Sequence, residues 1–196
     1  MIDVAFTRAD LRDGDVAVVV DVVRATSTAT QALAAGYRRV LCAETLYRAR
    51  QLRRPGIVLA GERRCVKPPG FDQGNSPCEA AVRRGVELAL ATTNGAPTIV
   101  AAAQHAPRVL LGCLLNLDAV LRALGEEANA SLQIVCSGTG GAVALEDVYA
   151  AGRSAPSSQA IAPTQRSWPR ELRVASRARW LRSPRAPTRG CLARQG

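Results

Sequence analysis

The sequence predicts an α/β fold, a three-layer sandwich in which a largely parallel or mixed sheet is covered by helices on both faces. Two observations carry this expectation. Short aliphatic runs recur along residues 1–152, each followed by a polar or glycine-containing turn and then a helical pattern ending near a glycine. The composition is 47% hydrophobic but only 4% aromatic, which suits an aliphatic interior, and 196 residues are enough for one domain with a full core.

The elements follow in order. VAVVVDVV (16–23) is apolar on both faces, as a strand buried in a parallel sheet requires. RATST leads into TATQALAAG, a helix closed by Gly36, and RRVLCAE (38–44) is the next strand. LYRARQLRR then reads as helix and GIVLAGE (56–62) as strand. Asn75 and Ser76 ahead of Pro77 mark a helix N-cap with proline in the first turn. VELALATTNG (86–95) precedes helix PTIVAAAQHA, RVLLGCLLN (108–116) precedes helix LDAVLRALGEEA, and LQIVCSGTGG (132–141) precedes helix LEDVYAAG. Strands alternating with helices favour parallel pairing. In such sheets ligands bind beyond the carboxyl ends of the strands, and the polar residues fall at those ends in every round.

The formal charge of +10 is unevenly distributed. Residues 1–152 hold 16 basic and 15 acidic residues, a net of +1, whereas residues 153–196 hold ten arginines against Glu171 alone, a net of +9. That tail also carries five of the eleven prolines and no sustained apolar period, so it is expected to be disordered and to build no strand. Its Arg, Ala, Pro and Ser bias is what an out-of-frame reading of a GC-rich gene produces, which predicts frameshifted sequence from about residue 152. Cysteines 42, 65, 78, 113, 136 and 191 form no CxxC pair and have no histidine at ligand spacing, so reduced thiols in a cytoplasmic protein are expected. The N-terminus lacks a signal-peptide pattern and no apolar stretch reaches 18 residues, so no membrane association is expected.

Four turns hold the candidate chemistry. In DVVRATST, Asp21 ends a strand of valines, a costly position unless it meets a metal, a cation or water. Arg24 follows, and Thr26, Ser27 and Thr28 open a helix where hydroxyls and free N–H groups favour an anion. GERRCVKPPGFDQGNSP (61–77) sets Glu62, Arg63, Lys67, Asp72, Asn75 and Ser76 among glycines and prolines. Thr93, Asn94 and Gly95 lie in a strand-to-helix turn, and CSGTGG (136–141) lacks both the GxGxxG spacing and a P-loop lysine. Glu146 and Asp147 read first as helix-dipole partners and second as metal ligands, and His105 as a helix-end residue. Acids, cations and donors together describe a Mg²⁺-assisted site for a small anionic ester, with Asp21 and Glu62 as metal ligands. No cysteine, serine–histidine or aspartyl nucleophile pattern is present, so attack by water is expected.

DVVRATST, GERRCVKPPGFDQGNSP, TTNGA, GCLLN and CSGTGGAVALEDVYAAG, in that order, resemble the 2-phosphosulfolactate phosphatase (ComB-like) family over residues 4–152. The resemblance implies a three-layer α/β fold and Mg²⁺-dependent hydrolysis of 2-phospho-3-sulfolactate to 3-sulfolactate and phosphate, a step toward coenzyme M in methanogens. Carried onto this sequence the family pattern marks Asp21, Arg24, Glu62, Arg63, Lys67 and Asp72 among its positions, and the chemistry of these side chains makes them the expected catalytic set. Thr26, Ser27, Thr28, Asn75, Ser76, Thr93, Asn94 and Gly95 are expected on the substrate. Arg64-Cys65 stands where the family usually has a small, glycine-like pair. Two rival readings are an inactive remnant with a lost carboxyl-terminal portion and, with less support, an RNA-binding protein acting through the arginine tail. Homo-oligomerisation is left open.

Overall fold

The computed structural model describes residues 2–125, 130–155 and 180–182. Eight strands and six helices alternate in it: β1 (Ile2–Ala5), β2 (Val16–Val20), α1 (Ala25–Ala34), β3 (Arg39–Ala43), α2 (Leu46–Gln51), β4 (Ile57–Gly61), α3 (Pro77–Ala80), β5 (Glu87–Ala91), α4 (Gly95–His105), β6 (Arg108–Gly112), α5 (Leu117–Gly125), β7 (Leu132–Cys136), α6 (Leu145–Ser154) and β8 (Trp180–Arg182). The helix-covered parallel strands are those read from the sequence. They are divided between two sheets, ordered β1-β7-β2-β6 and β4-β5-β3-β8, and every pairing is parallel except β3 with β8.

Alternation along the strands builds the layers. Ala17, Val19, Val109, Leu111 and Val135 of the first sheet and Val40, Cys42, Val58, Ala60, Leu88 and Leu90 of the second face one common core. Between them lie α1, through Ala25, Ala29 and Ala32, and α4, through Ala96, Ile99, Ala102 and Ala103. The alternate residues Val16, Val18, Val20, Leu110, Ile134 and Cys136 pack outward on α5 and α6 through Val120, Leu124, Ala150 and Ala151. Leu41, Ile57, Leu59, Ala89 and Ala91 pack outward on Ala49 of α2 and on Phe71. One helical layer therefore serves both sheets.

Local signals behave as their chemistry requires. Gly36, at φ +96°, ends α1, and Ser76 caps α3 by accepting the Glu79 N–H at 3.4 Å ahead of Pro77. His105 closes α4 and meets Asp13 at 2.8 Å on the surface. Glu87, buried at the start of β5, is paired with Arg39 of β3 and, at 2.9 Å, with Arg54. Two departures concern the ends. The short edge strand β1 is absent from the sequence reading. Within the segment expected to be disordered from residue 153, α6 continues to Ser154 and β8 pairs with β3; the frameshift expectation otherwise falls outside the described residues. No disulfide links the described cysteines, and no described helix is long and apolar enough to cross a membrane.

Candidate functional site

The site is built around Asp21, the first residue beyond β2, which is buried. Its Oδ1 accepts the Ala25 N–H at the start of α1 at 3.0 Å. Its Oδ2 faces Gly95, the first residue of α4, where an added β-carbon would lie 2.1 Å from that oxygen and 2.4 Å from the Ala25 β-carbon. Only glycine fits there, and the close approach brings two helix N-termini to one carboxylate. Oδ2 accepts no hydrogen bond from the described residues. Burial is the main reason the Asp21 carboxyl is pushed up to about 7, and the nearby carboxylates of Asp147, Glu62 and Glu146 push in the same direction.

Glu62 extends from β4 of the other sheet and is also buried. Oε1 accepts the Thr93 N–H at 2.5 Å, and Oε2 accepts the Thr93 hydroxyl at 2.9 Å and the Cys65 N–H at 2.8 Å. Glu62 thus ties the turn after β4 to the turn after β5. Arg63 and Val66 exchange backbone hydrogen bonds across Arg64 and Cys65, which have φ of 51° and 64°. Two successive left-handed residues explain why a glycine-like pair suits this turn. Asp147, buried in the first turn of α6, accepts the Val22 N–H at 2.9 Å and the Gly138 N–H at 3.0 Å, clamping the ends of β2 and β7 together. Burial is the main cause that raises its carboxyl above the usual range. Asn94 Oδ1 accepts the Gly140 N–H at 3.2 Å, joining the third turn to the glycine-rich fourth.

The structure brings Asp21, Glu62, Thr93, Asn94, Gly95 and the 137–141 loop to the carboxyl ends of strands from both sheets. Half-buried Arg24 and exposed Arg63 and Lys67 make no ion pair with the described residues. Several expected ligands have structural partners instead. The Thr26 hydroxyl donates to the Asp21 and Gly112 carbonyls at 2.6 and 2.8 Å, and Ser27 donates to Val22 O at 2.7 Å. Asp72 accepts the Leu59 N–H at 2.7 Å and pairs with Arg53 at 3.1 Å, which fastens the 71–73 segment beside β4. Thr28 Oγ1 and Asn75 Oδ1 are buried without a partner, while Ser76 is engaged as a cap. Sequence reasoning missed Ser137 and the clamp made by Asp147, because the groups they meet are remote in sequence.

A hard divalent cation asks for oxygen donors, few of them from the protein when a phosphate completes the shell. Asp21 Oδ2 is such a donor, surrounded by three further carboxylates, and Glu62 Oε1 accepts only one N–H. Both oxygens of Asp147 are engaged, and among the described residues no group of three or more His, Cys, Asp or Glu is placed to hold a metal by itself. The residues thus fit an ion that shares its shell with water and substrate, and do not fit a closed all-protein cage.

Fold and rim together define the class: a parallel-sheet α/β protein whose acids and amides gather where the strands end. The chain belongs to the 2-phosphosulpholactate phosphatase family, whose model matches residues 4–171, nineteen residues beyond the end of the resemblance carried by the motifs. A protein of Pseudothermotoga lettingae named "Probable 2-phosphosulfolactate phosphatase" is 41% identical over 152 residues, which cover 78% of this chain and 66% of that protein. Identically named proteins of Deinococcus radiodurans and Thermus thermophilus are 44% identical over 142 residues and 43% over 140, each covering 70% of this chain and 59% of the relative. The chain spans about three fifths to two thirds of the length of these relatives.

Proposed function

We propose that the chain is a phosphatase that hydrolyses the phosphate monoester of a small sulfonated or carboxylated acid, with 2-phospho-3-sulfolactate, giving 3-sulfolactate and phosphate, as first candidate. Family membership and the names of the relatives support the substrate class. The observation that carries the chemistry is the Asp21 carboxylate, held by the Ala25 N–H with its second oxygen free. A carboxyl raised to about 7 is matched to taking a proton from water near neutrality. In this reading Asp21 orients the attacking water and accepts its proton as the oxygen–phosphorus bond forms and the ester P–O bond breaks. Arg24, Arg63 and Lys67 receive the phosphoryl and second anionic groups, with Arg24 best placed by its position at the N-cap of α1. The Thr28 hydroxyl and the Asn94–Gly95 turn supply further donors, Asn75 Oδ1 an acceptor, and Glu62 holds the two turns in register.

Four carboxylates beside a polyanionic substrate are electrostatically unfavourable by themselves, which supports Mg²⁺ as the cofactor; Glu62 Oε1 would hold it directly and Asp21 Oδ2 through a water. When bound it would neutralise charge on the phosphoryl oxygens. The test is phosphate release from 2-phospho-3-sulfolactate with and without Mg²⁺, for the native chain and Arg24→Ala. Because Arg24 has no ion pair among the described residues, Arg24→Ala is expected to unfold at the native midpoint while kcat/KM falls on the order of a hundredfold. Turnover that is unchanged in Arg24→Ala removes Arg24 from the site, and a native chain that releases no phosphate from any phosphomonoester refutes the function.

A further inference from the structure

Ser137 is the first residue beyond β7, and the register of that strand with β2 fixes what lies beside it. Val19 pairs with Val135 and Val20 with Cys136, and the Ser137 N–H donates to Val20 O at 2.9 Å, so the next neighbours along the same register are Asp21 and Ser137. Side-chain alternation settles the face. Val19 and Val135 point into the shared core, Val20 and Cys136 point outward, and Asp21 and Ser137 therefore return to the inner side. Asp21 demonstrably does so, since its carboxylate meets Ala25 and Gly95. Neighbouring strands stand about 4.8 Å apart, so Asp21 and Ser137 are adjacent residues on the inner face of the sheet.

Two features make this pair unusual. Ser137 is 95% buried, at 5% exposure, and its Oγ has no hydrogen-bond partner among the described residues. A buried hydroxyl without a partner is unfavourable in a merely structural position. The backbone around it is also firmly held, because Asp147 takes the N–H groups of Val22 and Gly138 on either side. The hydroxyl itself is left to turn among its staggered rotamers without breaking a bond.

We propose that Ser137 is a catalytic contact of this site, its hydroxyl donating a hydrogen bond to a non-bridging phosphoryl oxygen while the adjacent Asp21 takes the proton of the attacking water. This rests on the phosphatase reading above. Ser137 forms and breaks no covalent bond in the step, and its proton stays on Oγ. The 136–141 segment then acts through its serine, not through its glycines.

The test is Ser137→Ala, with Ser137→Cys as a variant of similar size and weaker donor strength, each read by phosphate release and by thermal midpoint. Ser137→Ala is expected to lose at least tenfold in kcat with an unchanged or higher midpoint, and Ser137→Cys to fall between it and the native chain. A native rate in Ser137→Ala overturns the assignment, as does a rate loss accompanied by a lower midpoint in both variants. If the native chain hydrolyses no phosphomonoester, the functional reading fails separately and inorganic phosphate decides the serine. A midpoint rise with phosphate that is lost in Ser137→Ala supports the contact, whereas an equal rise, or none in the native chain, overturns it.

Discussion

Replacing Asp21 by asparagine should stabilise the protein, and by an amount that depends on pH. In the folded chain the carboxyl is raised from 3.8 to about 7, by burial first and by Asp147, Glu62 and Glu146 second. Below about pH 4 both folded and unfolded chains carry the proton, and ionisation contributes nothing. Between 4 and 7 the unfolded chain ionises while the folded chain keeps its proton, so stability falls as pH rises and levels off above 7. Three pK units correspond to about 4 kcal/mol. The asparagine amide would keep an oxygen for the Ala25 N–H and carry no charge, so Asp21→Asn should match the native chain near pH 4 and exceed it by about 4 kcal/mol at pH 8. For a chain of this size that is roughly 10 °C in midpoint. Denaturant unfolding of both proteins at half-unit pH steps measures the difference, to which Asp147 contributes little because both proteins contain it. A difference that stays flat from pH 4 to 8, or that grows toward acid, refutes the argument that Asp21 is held in an unfavourable charged state.

Other outcomes follow from the same geometry. Gly95→Ala should lower stability by about 2–4 kcal/mol, since its methyl would overlap the Asp21 carboxylate and the Ala25 side chain, and Asp21→Asn should not rescue it; a urea midpoint equal to the native one would contradict this. Arg64→Gly and Cys65→Gly should each stabilise by up to about 1 kcal/mol by relieving left-handed backbone, which thermal melts of the single and double variants would reveal. With Asp21 as proton acceptor, log kcat/KM should rise with pH toward 7 and then level, and the rise should be absent from the residual activity of Asp21→Asn.

The strands were legible because residues buried on both faces leave continuous aliphatic runs, and the helices because glycines, caps and small residues punctuate them. The division into two sheets was not, since a strand covered by helices on both sides looks the same in either arrangement. β1 escaped notice because IDVA is four residues long and bears Asp3 at a sheet edge. In the site, Asp21 and Glu62 stood out as acids ending apolar runs, a signal that depends only on local sequence. Asp72 reads as a loop acid among glycines and prolines, and its company, Arg53 and the Leu59 amide, becomes visible only when the loop lies down beside β4. Ser137 and Asp147 needed the pairing of β2 with β7, across more than a hundred residues, to acquire meaning.

The alanines of α1 and α4 have a role beyond filling space. Because the rim draws Asp21 from one sheet and Glu62 from the other, the girth of the helices wedged between them acts as a spacer that gauges how far apart those two acids stand. Swapping Ala29 or Ala102 for leucine would push the jaws apart without touching either acid, so the reach between the two acids is set in part from the middle of the molecule.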